Sequence, residues 1–261
     1  MITLSPLAGK RIVVTRAEDQ AQDLCRLLRA RGAAPVEWPV LRTDEIVPPD
    51  PQCWRRAVAA ADWIVFCSAN GVKYALPHLA PAWPTSVRVA AVGPKTAQLL
   101  ATHGRTVDAQ PAIYQAANIV SAVRAVQSDL RAAQVLVIKG ALSPNALSEA
   151  LRAAGAQVSE LVAYQTLPTD IPAPPIGTFD AITFASGSAA RFAALAFGAN
   201  LPNSVCVACI GPYTAQAARA SGWIIGAHAR IHTFNGLIDA LEDHFRFNPL
   251  GSPMLTNEIR S

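Results

Sequence analysis

Short apolar runs recur along the chain. They include IVVTR (Ile12–Arg16), DWIVF (Asp62–Phe66), RVAAVG (Arg88–Gly93), VLVIK (Val135–Lys139), DAITF (Asp180–Phe184) and VCVACIG (Val205–Gly211). Their apolar residues are contiguous, not alternating, which is the mark of strands covered on both faces. Between the runs the period lengthens: Ala21, Leu24, Cys25 and Leu28 fall on one face of a helix. Gly32 and Gly155 stand where such helices end, at positions suited to a left-handed C-terminal residue. Strand–helix alternation of this kind predicts α/β architecture with parallel, doubly wound sheets.

The pattern is written twice. GPKTAQLLATHG (Gly93–Gly104) and GPYTAQAARASG (Gly211–Gly222) share six of twelve positions and lie 118 residues apart. Asp62 with Asp180, Phe66 with Phe184 and Ser68 with Ser186 keep that offset, as do Ile119, Val120 and Val123 with Leu237, Ile238 and Leu241. Upstream, Arg16 answers to Lys139 and Gly32 to Gly155, at an offset of 123. The difference reflects linkers of unequal length. These matches predict an internal duplication and two similar α/β domains with a ligand cleft between them. The stretches VPPDP (Val47–Pro51) and PTDIPAPPIG (Pro168–Gly177) read as linkers or crossing segments, and the chain from about Asn248 as a polar, frayed tail.

Composition narrows the function. With 261 residues, 51% of them apolar and a net charge of +4, the chain reads as a globular protein without a nucleic-acid-binding stripe. No apolar run is long enough for a membrane span, and the N-terminus lacks a secretory pattern, so a cytoplasmic protein is expected. The same point argues against a secreted two-lobed solute-binding protein. Five cysteines, an odd number, argue against a disulfide framework. Cys206 and Cys209 form a CxxC, but residues three apart on a strand face opposite ways, so two buried structural thiols are expected rather than a metal site.

Candidate chemistry clusters where strands run into helices. CSANG follows DWIVF, ASGS follows DAITF, GPKT follows RVAAV and GPYT follows VCVACI. Ligands of open α/β sheets bind beyond the carboxyl ends of strands, and helix N-termini there attract anions. Each Ser or Thr is also an ordinary helix cap. Arg16 and Lys139 end their strands and suit carboxylates, or stand there as solvated strand ends. Tyr164 follows an apolar run and is either a site residue or a packed tyrosine with a satisfied hydroxyl. The five histidines are scattered and read mostly as surface residues. GxSxG, HExxH and Walker patterns are absent. Such an inventory suits a protein that works by binding and positioning a polyanion.

VVTR with its helix and Gly32, WPVL (Trp38–Leu41), FCSANGV, AAVGPKTA, GAQVSELVAYQT, FASGSAARF, CIGPYTAQAARASG and TFNGLIDAL occur in an order and spacing that resembles the uroporphyrinogen-III synthase family, from about Lys10 to Phe245. The resemblance implies two flavodoxin-like, doubly wound domains joined by a two-stranded linker. Residues 1–38 and 168–261 would form one discontinuous domain, and 39–167 the other, with WPVL and AYQT crossing between them. Closure of the lobes on ligand would follow. The implied reaction is a cyclising lyase step: hydroxymethylbilane, with eight carboxylates, loses its hydroxyl, closes, and inverts ring D through a spiro intermediate to give uroporphyrinogen III. The resemblance implies no metal or cofactor. The substrate can pass from hydroxymethylbilane synthase, and a monomer is expected.

Tyr164 takes the position of the tyrosine that assists departure of the hydroxyl. The candidate substrate-binding residues are Arg16, Ser68, Asn70, Lys95, Thr96, Lys139, Ser186, Gly187, Ser188, Gly211, Tyr213 and Thr214. Three positions depart from the family pattern. GALSPNAL places Asn145 where many members carry arginine, Tyr213 stands where many carry threonine, and Cys67 where a threonine is frequent. These departures keep open a second reading, a non-catalytic family member that binds a tetrapyrrole or another polyanion.

Overall fold

The structure is a computed structural model and describes residues 5–48, 50–79, 83–112, 116–198 and 201–248. The expected C-terminal tail lies beyond Asn248, outside the described residues. The chain falls into two compact units, Met1–Arg42 with Leu167–Ser261, and Thr43–Thr166.

The first unit contains β1 (Arg11–Val14), α1 (Glu18–Ala30), β2 (Ala34–Glu37), β8 (Ala181–Phe184), α7 (Gly187–Phe197), β9 (Cys206–Cys209), α8 (Pro212–Ala220), β10 (Ile225–His228) and α9 (Phe234–Phe247). Its sheet runs β10-β9-β8-β1-β2, and every paired ladder is parallel. Both faces are covered. Ile12 and Val14 pack with Leu24, Cys25 and Leu28 of α1 and Leu237, Ile238 and Leu241 of α9. Val13 packs the other way, with Ala189, Ala190 and Ala193 of α7 and Ala215 and Ala218 of α8. This two-sided burial is why the strand runs carry no polar alternation.

The second unit contains β3 (Leu41–Glu45), α2 (Pro51–Ala59), β4 (Trp63–Phe66), α3 (Ala69–Leu79), β5 (Arg88–Ala91), α4 (Pro94–Thr102), α5 (Ala116–Val126), β6 (Gln134–Gly140), α6 (Ala146–Ala153) and β7 (Gln157–Pro168). β3 begins at Leu41, just before the boundary at Thr43. The sheet order is β3-β7-β6-β4-β5, with parallel pairing of β7, β6, β4 and β5. A parallel bridge joins Ala90 to Ala109 beside β5. Ile64, Phe66, Leu136 and Ile138 face α2, α3 and α4, whereas Trp63, Val65, Val135 and Val137 face α5 and α6.

Several sequence details find their physical form here. Gly32 and Gly155 follow α1 and α6 with φ of +79° and +97°, the left-handed region where a side chain is strained. All five cysteines are free. Cys206 and Cys209 belong to opposite faces of β9, one in each apolar cluster, and burial raises both thiol pKa values. The histidines have one buried exception, and one alternative left open for the threonines falls away. His244 is a core residue, 6% exposed, because α9 turns the face shared with Leu237 and Leu241 inward. Its Nδ1–H donates to the Gly226 carbonyl at 3.0 Å, and burial depresses its pKa. Thr96 and Thr214 are not caps: Gly93 and Gly211 hold the N-cap positions, and the threonines sit inside the first turn.

β1 and β8 lie almost 170 residues apart in the chain, yet a reciprocal side-chain lock joins them. Thr15 Oγ1 donates to the Thr183 carbonyl at 2.7 Å, and Thr183 Oγ1 donates to the Val13 carbonyl at 2.8 Å. Both threonines are buried. Thr183→Val keeps the shape and removes one of these bonds. The expected cost is about 1 kcal/mol, read as a lower urea midpoint with an unchanged denaturant slope.

Candidate functional site

In the second unit, polar groups gather where β4 and β6 end, beside Tyr164 within β7. The β6–β7 ladder is regular up to Lys139, which pairs with Val162, and then slips so that Gly140 pairs with Tyr164. This irregularity re-aims the end of the strand, as a bulge does. Tyr164 lies directly over Gly140: a Cβ there would stand 2.6 Å from Cζ of the ring. Only glycine leaves room for that seat. The Tyr164 hydroxyl lies 3.0 Å from Ser68 Oγ. Ser68 Oγ also accepts the Gly71 amide at 3.1 Å, so the serine caps α3 and holds the tyrosine with one oxygen.

Burial raises the Tyr164 pKa, the Ser68 hydrogen bond pulls it back, and Cys67 and Tyr74 add to the rise. The phenol is therefore neutral at physiological pH. The neighbouring Cys67 thiol is pushed up to about 12, chiefly by burial, and is neutral as well.

Lys139 is taken up by the protein. Its Nζ donates to Asn145 Oδ1 at 2.7 Å and to Glu160 Oε2 at 3.0 Å, and the side chain is 6% exposed. Glu160 also faces Ser148 and Arg152. The Asn145 side chain makes no capping bond for α6, because its oxygen serves Lys139. Asn70 is half-buried in the first turn of α3, and Lys95 is exposed in the first turn of α4. Thr96 is 4% exposed. Its hydroxyl makes no hydrogen bond among the described residues and is not sealed from solvent.

The first unit repeats part of this arrangement. Ser186 caps α7, accepting the Ala189 amide at 3.2 Å. Ser188 accepts from Arg191 at 3.2 Å. Gly187 sits where a Cβ would press on Ala217 at 3.1 Å and Tyr213 at 3.2 Å, so it allows α7 and α8 to approach. Tyr213 is exposed, and the Gly211 backbone lies against the His232 ring. Thr214, 5% exposed, matches Thr96 in having a hydroxyl that makes no hydrogen bond among the described residues. Arg16 turns back on α1: Nε donates to the Gln20 carbonyl at 3.1 Å, Nη2 bonds Gln20 Oε1, and the guanidinium covers the Phe234 ring.

The structure thus brings Tyr164 and Ser68 together, and places Lys139 close behind in an ion pair. Gly140 and Tyr74 were missed by the sequence analysis. Comparing the matched segments holds their signal: Gly140 answers to Ala17, and Tyr74 to Phe192.

The Glu160 pKa is held below the usual carboxylate range, first by the Ser148 hydroxyl and then by Lys139 and Arg152. In acid the unfolded chain takes up a proton that the native carboxylate resists. The stability from this group is present above the ordinary carboxylate pKa and lost as pH falls through the depressed one. Glu160→Gln is expected to cost about 2 kcal/mol at pH 7. That is below the ~3–5 kcal/mol of a fully buried pair, because Glu160 still meets water. Denaturation midpoints measured between pH 7 and pH 3 should fall less steeply for the variant than for the native protein.

Comparison with known proteins adds an independent line. Residues 7–239 match the family model of uroporphyrinogen-III synthase HemD. A uroporphyrinogen-III synthase from Synechococcus elongatus is 31% identical, over 92% of this chain and 97% of the relative. One from Chlorobaculum parvum is 28% identical, over 82% and 90%. Among solved structures, a mutant uroporphyrinogen III synthase from Thermus thermophilus aligns with TM-score 0.62 at 17% identity, covering 92% of this chain and all of that one. The Helicobacter pylori uroporphyrinogen-III synthetase aligns with TM-score 0.63 at 15% identity, covering 90% and 99%. These two show likeness of fold.

Proposed function

The chain belongs to the uroporphyrinogen-III synthase family, and from that premise we propose that it converts hydroxymethylbilane to uroporphyrinogen III with Tyr164 at the reacting end. The observation that carries the assignment of Tyr164 is its hydroxyl held 3.0 Å from Ser68 Oγ, over a glycine that only it fills. The reaction is a lyase step that removes water and closes the ring. The substrate must release a hydroxide from carbon, and hydroxide is a poor leaving group until it receives a proton or a strong hydrogen bond. A neutral phenol supplies that donor. When Ser68 donates its own proton to the Tyr164 oxygen, the phenol proton is free to point at the departing hydroxyl. The cation left behind is spread over the adjacent pyrrole, and ring D attacks it. Attack through the substituted carbon gives the spiro intermediate, and its rearrangement inverts ring D.

Carboxylate recognition is proposed for the helix N-termini of each unit. Thr96 and Thr214 add hydroxyls, unclaimed among the described residues, to the positive dipole ends of α4 and α8. Ser68, Asn70 and Lys95 join the first set, and Ser186, Gly187, Ser188, Gly211 and Tyr213 the second. Arg16 is retained as a carboxylate partner. Lys139 acts at one remove, because Glu160 and Asn145 already hold its ammonium. The proposal includes no cofactor, a monomer, and action in the cytoplasm, with substrate taken free or from hydroxymethylbilane synthase. No helix among the described residues is long and apolar enough to cross a membrane.

We further propose that the two units descend from a duplication, each a flavodoxin-like sheet. Residues 1–38 with 168–261, and 39–167, would be the two domains. Three observations support this. In the first unit, numbering its strands by chain order, the sheet reads 2-1-3-4-5. In the second, β7-β6-β4-β5 and the bridge at Ala109 fall in the same spatial order as β2-β1-β8-β9-β10 once strands are matched by the offsets of 123 and 118, by which Ala109 answers to Ala227 of β10. Finally, one hydrogen bond occurs twice: Ile46 N–H to the Ala163 carbonyl at 3.0 Å, and Thr169 N–H to the Val40 carbonyl at 3.2 Å, at positions 123 apart.

The test supplies hydroxymethylbilane, oxidises the products and separates the porphyrin isomers. Type III from the native protein is the expected result. Type I alone, the product of unassisted closure, from a folded protein would favour the non-catalytic reading, which the Lys139–Asn145 contact at the altered loop motivates. Tyr164→Phe is expected to slow type III formation by about 10²-fold while leaving the thermal midpoint near that of the native protein. Full activity in that variant would remove Tyr164 from the mechanism.

A further inference from the structure

Tyr164 is held from more than one side. Its ring stacks on Tyr74 of α3, with centroids 5.9 Å apart and planes 29° from parallel. The Tyr74 hydroxyl donates to the Thr43 carbonyl at 2.6 Å and lies 2.9 Å from Thr43 Oγ1. Thr43 belongs to β3, the strand next to β7 in the sheet, and it is the first residue of the second unit. Tyr74 is therefore anchored at its tip to β3 and presents its face to Tyr164. Gly140 makes the floor of the seat, and Ser68 takes the hydroxyl.

The first unit offers an internal comparison. In the proposed duplication, Tyr74 answers to Phe192 and Tyr164 to Leu41. Phe192 and Leu41 are partly buried and pack on the apolar cluster of their own unit. In the first unit this place is filled by apolar bulk alone. The two hydroxyls occur only in the second unit, and each is hydrogen-bonded. A half-buried hydroxyl costs desolvation and repays it only in a fixed geometry. Two aromatic rings also carry few rotatable bonds, so a stack tied at both tips has little freedom left.

We propose that Tyr74 is a positioning residue for the reaction: anchored to Thr43 and stacked on Tyr164, it fixes the direction in which the Tyr164 hydroxyl points. The proposal rests on the reading of Tyr164 as the donor to the leaving hydroxyl. A phenol aimed by packing loses no orientational freedom when the bond to the leaving group breaks, which is the condition for efficient donation. Misaim by a fraction of an ångström affects turnover, whereas carboxylate binding, spread over many contacts, is untouched.

The test uses Tyr74→Phe, which keeps the stack and loses the anchor, and Tyr74→Leu, which loses both. Turnover to the type III isomer and the signal of Tyr164 in protein labelled with [13Cζ]tyrosine are both read, with Tyr164→Phe identifying the signal. In Tyr74→Leu, kcat is expected to fall by on the order of tenfold or more, with KM within about twofold. Its Tyr164 resonance should shift, and its ionisation should move down toward that of a hydrated tyrosine. Tyr74→Phe should fall between this variant and the native protein. A folded Tyr74→Leu protein with native kcat overturns the proposal. So does a kcat that falls only in step with the thermal midpoint while the Tyr164 resonance and titration stay native. If the native protein yields only type I isomer, the reading of Tyr164 as donor fails on that count. The resonance still decides whether Tyr74 fixes Tyr164: an unmoved signal in folded Tyr74→Leu overturns it, and a moved one retains it.

Discussion

A parallel sheet with helices on both faces has no wet side, and that constraint governs where polar chemistry can lie in this protein. Ile12 and Val13, or Ile64 and Val65, point to opposite faces and both meet apolar side chains. Polar groups are expelled to the rim, where the strands stop and helices begin. There the backbone supplies unpaired amides and side chains regain solvent. Ser68, Thr96, Ser186 and Thr214 all stand on that rim, and the small residues among them reflect how closely the helices approach. Gly187 against Ala217 is one example.

Within that frame the seat of Tyr164 needs several local conditions at once. The ladder must slip after Lys139, residue 140 must lack a side chain, and the cap of α3 must be a residue whose oxygen reaches the phenol. The ion pair of Lys139 with Glu160, closed by Asn145, firms the same strand ends from behind. A cation that first reads as a ligand for substrate is here part of the support. The altered loop GALSPNAL acquires a structural reason: Asn145 gives up the capping of α6 to complete the shell of a buried ammonium.

Much of the fold was legible in the sequence because burial on both faces leaves a strong mark. The apolar runs, the glycines after α1 and α6, and the opposed thiols of Cys206 and Cys209 follow from local rules. His244 is the buried exception among mostly surface histidines, and a single polar residue on an apolar helix face carries no local sign of the carbonyl that receives it. For Thr96 and Thr214 capping stayed open beside ligand binding, because the sequence shows a polar residue near a helix start but not which glycine turns the chain. Tyr164 was a candidate from the apolar run before it and from a resemblance spanning the chain, and the structure sets its hydroxyl beside Ser68. Tyr74 and Gly140 were not, since a tyrosine in a helix and a glycine after a strand look ordinary until the pairing of β6 with β7 is known. Arg16 and Lys139 show the converse. Their positions were legible, but their partners Gln20, Glu160 and Asn145 depend on side-chain reach.

The lock between Thr15 and Thr183 has a consequence for how the molecule is made. β1 is an interior strand of its sheet, yet its neighbour β8 is synthesised almost 170 residues later. The second unit is a continuous stretch and can close once Thr166 has left the ribosome. β1 and β2 have to wait through all of that time with an apolar strand edge unpaired. β1 is thus sheltered only after the whole second unit has been made, although it is made before that unit. The unit that is begun earlier is therefore the one completed later.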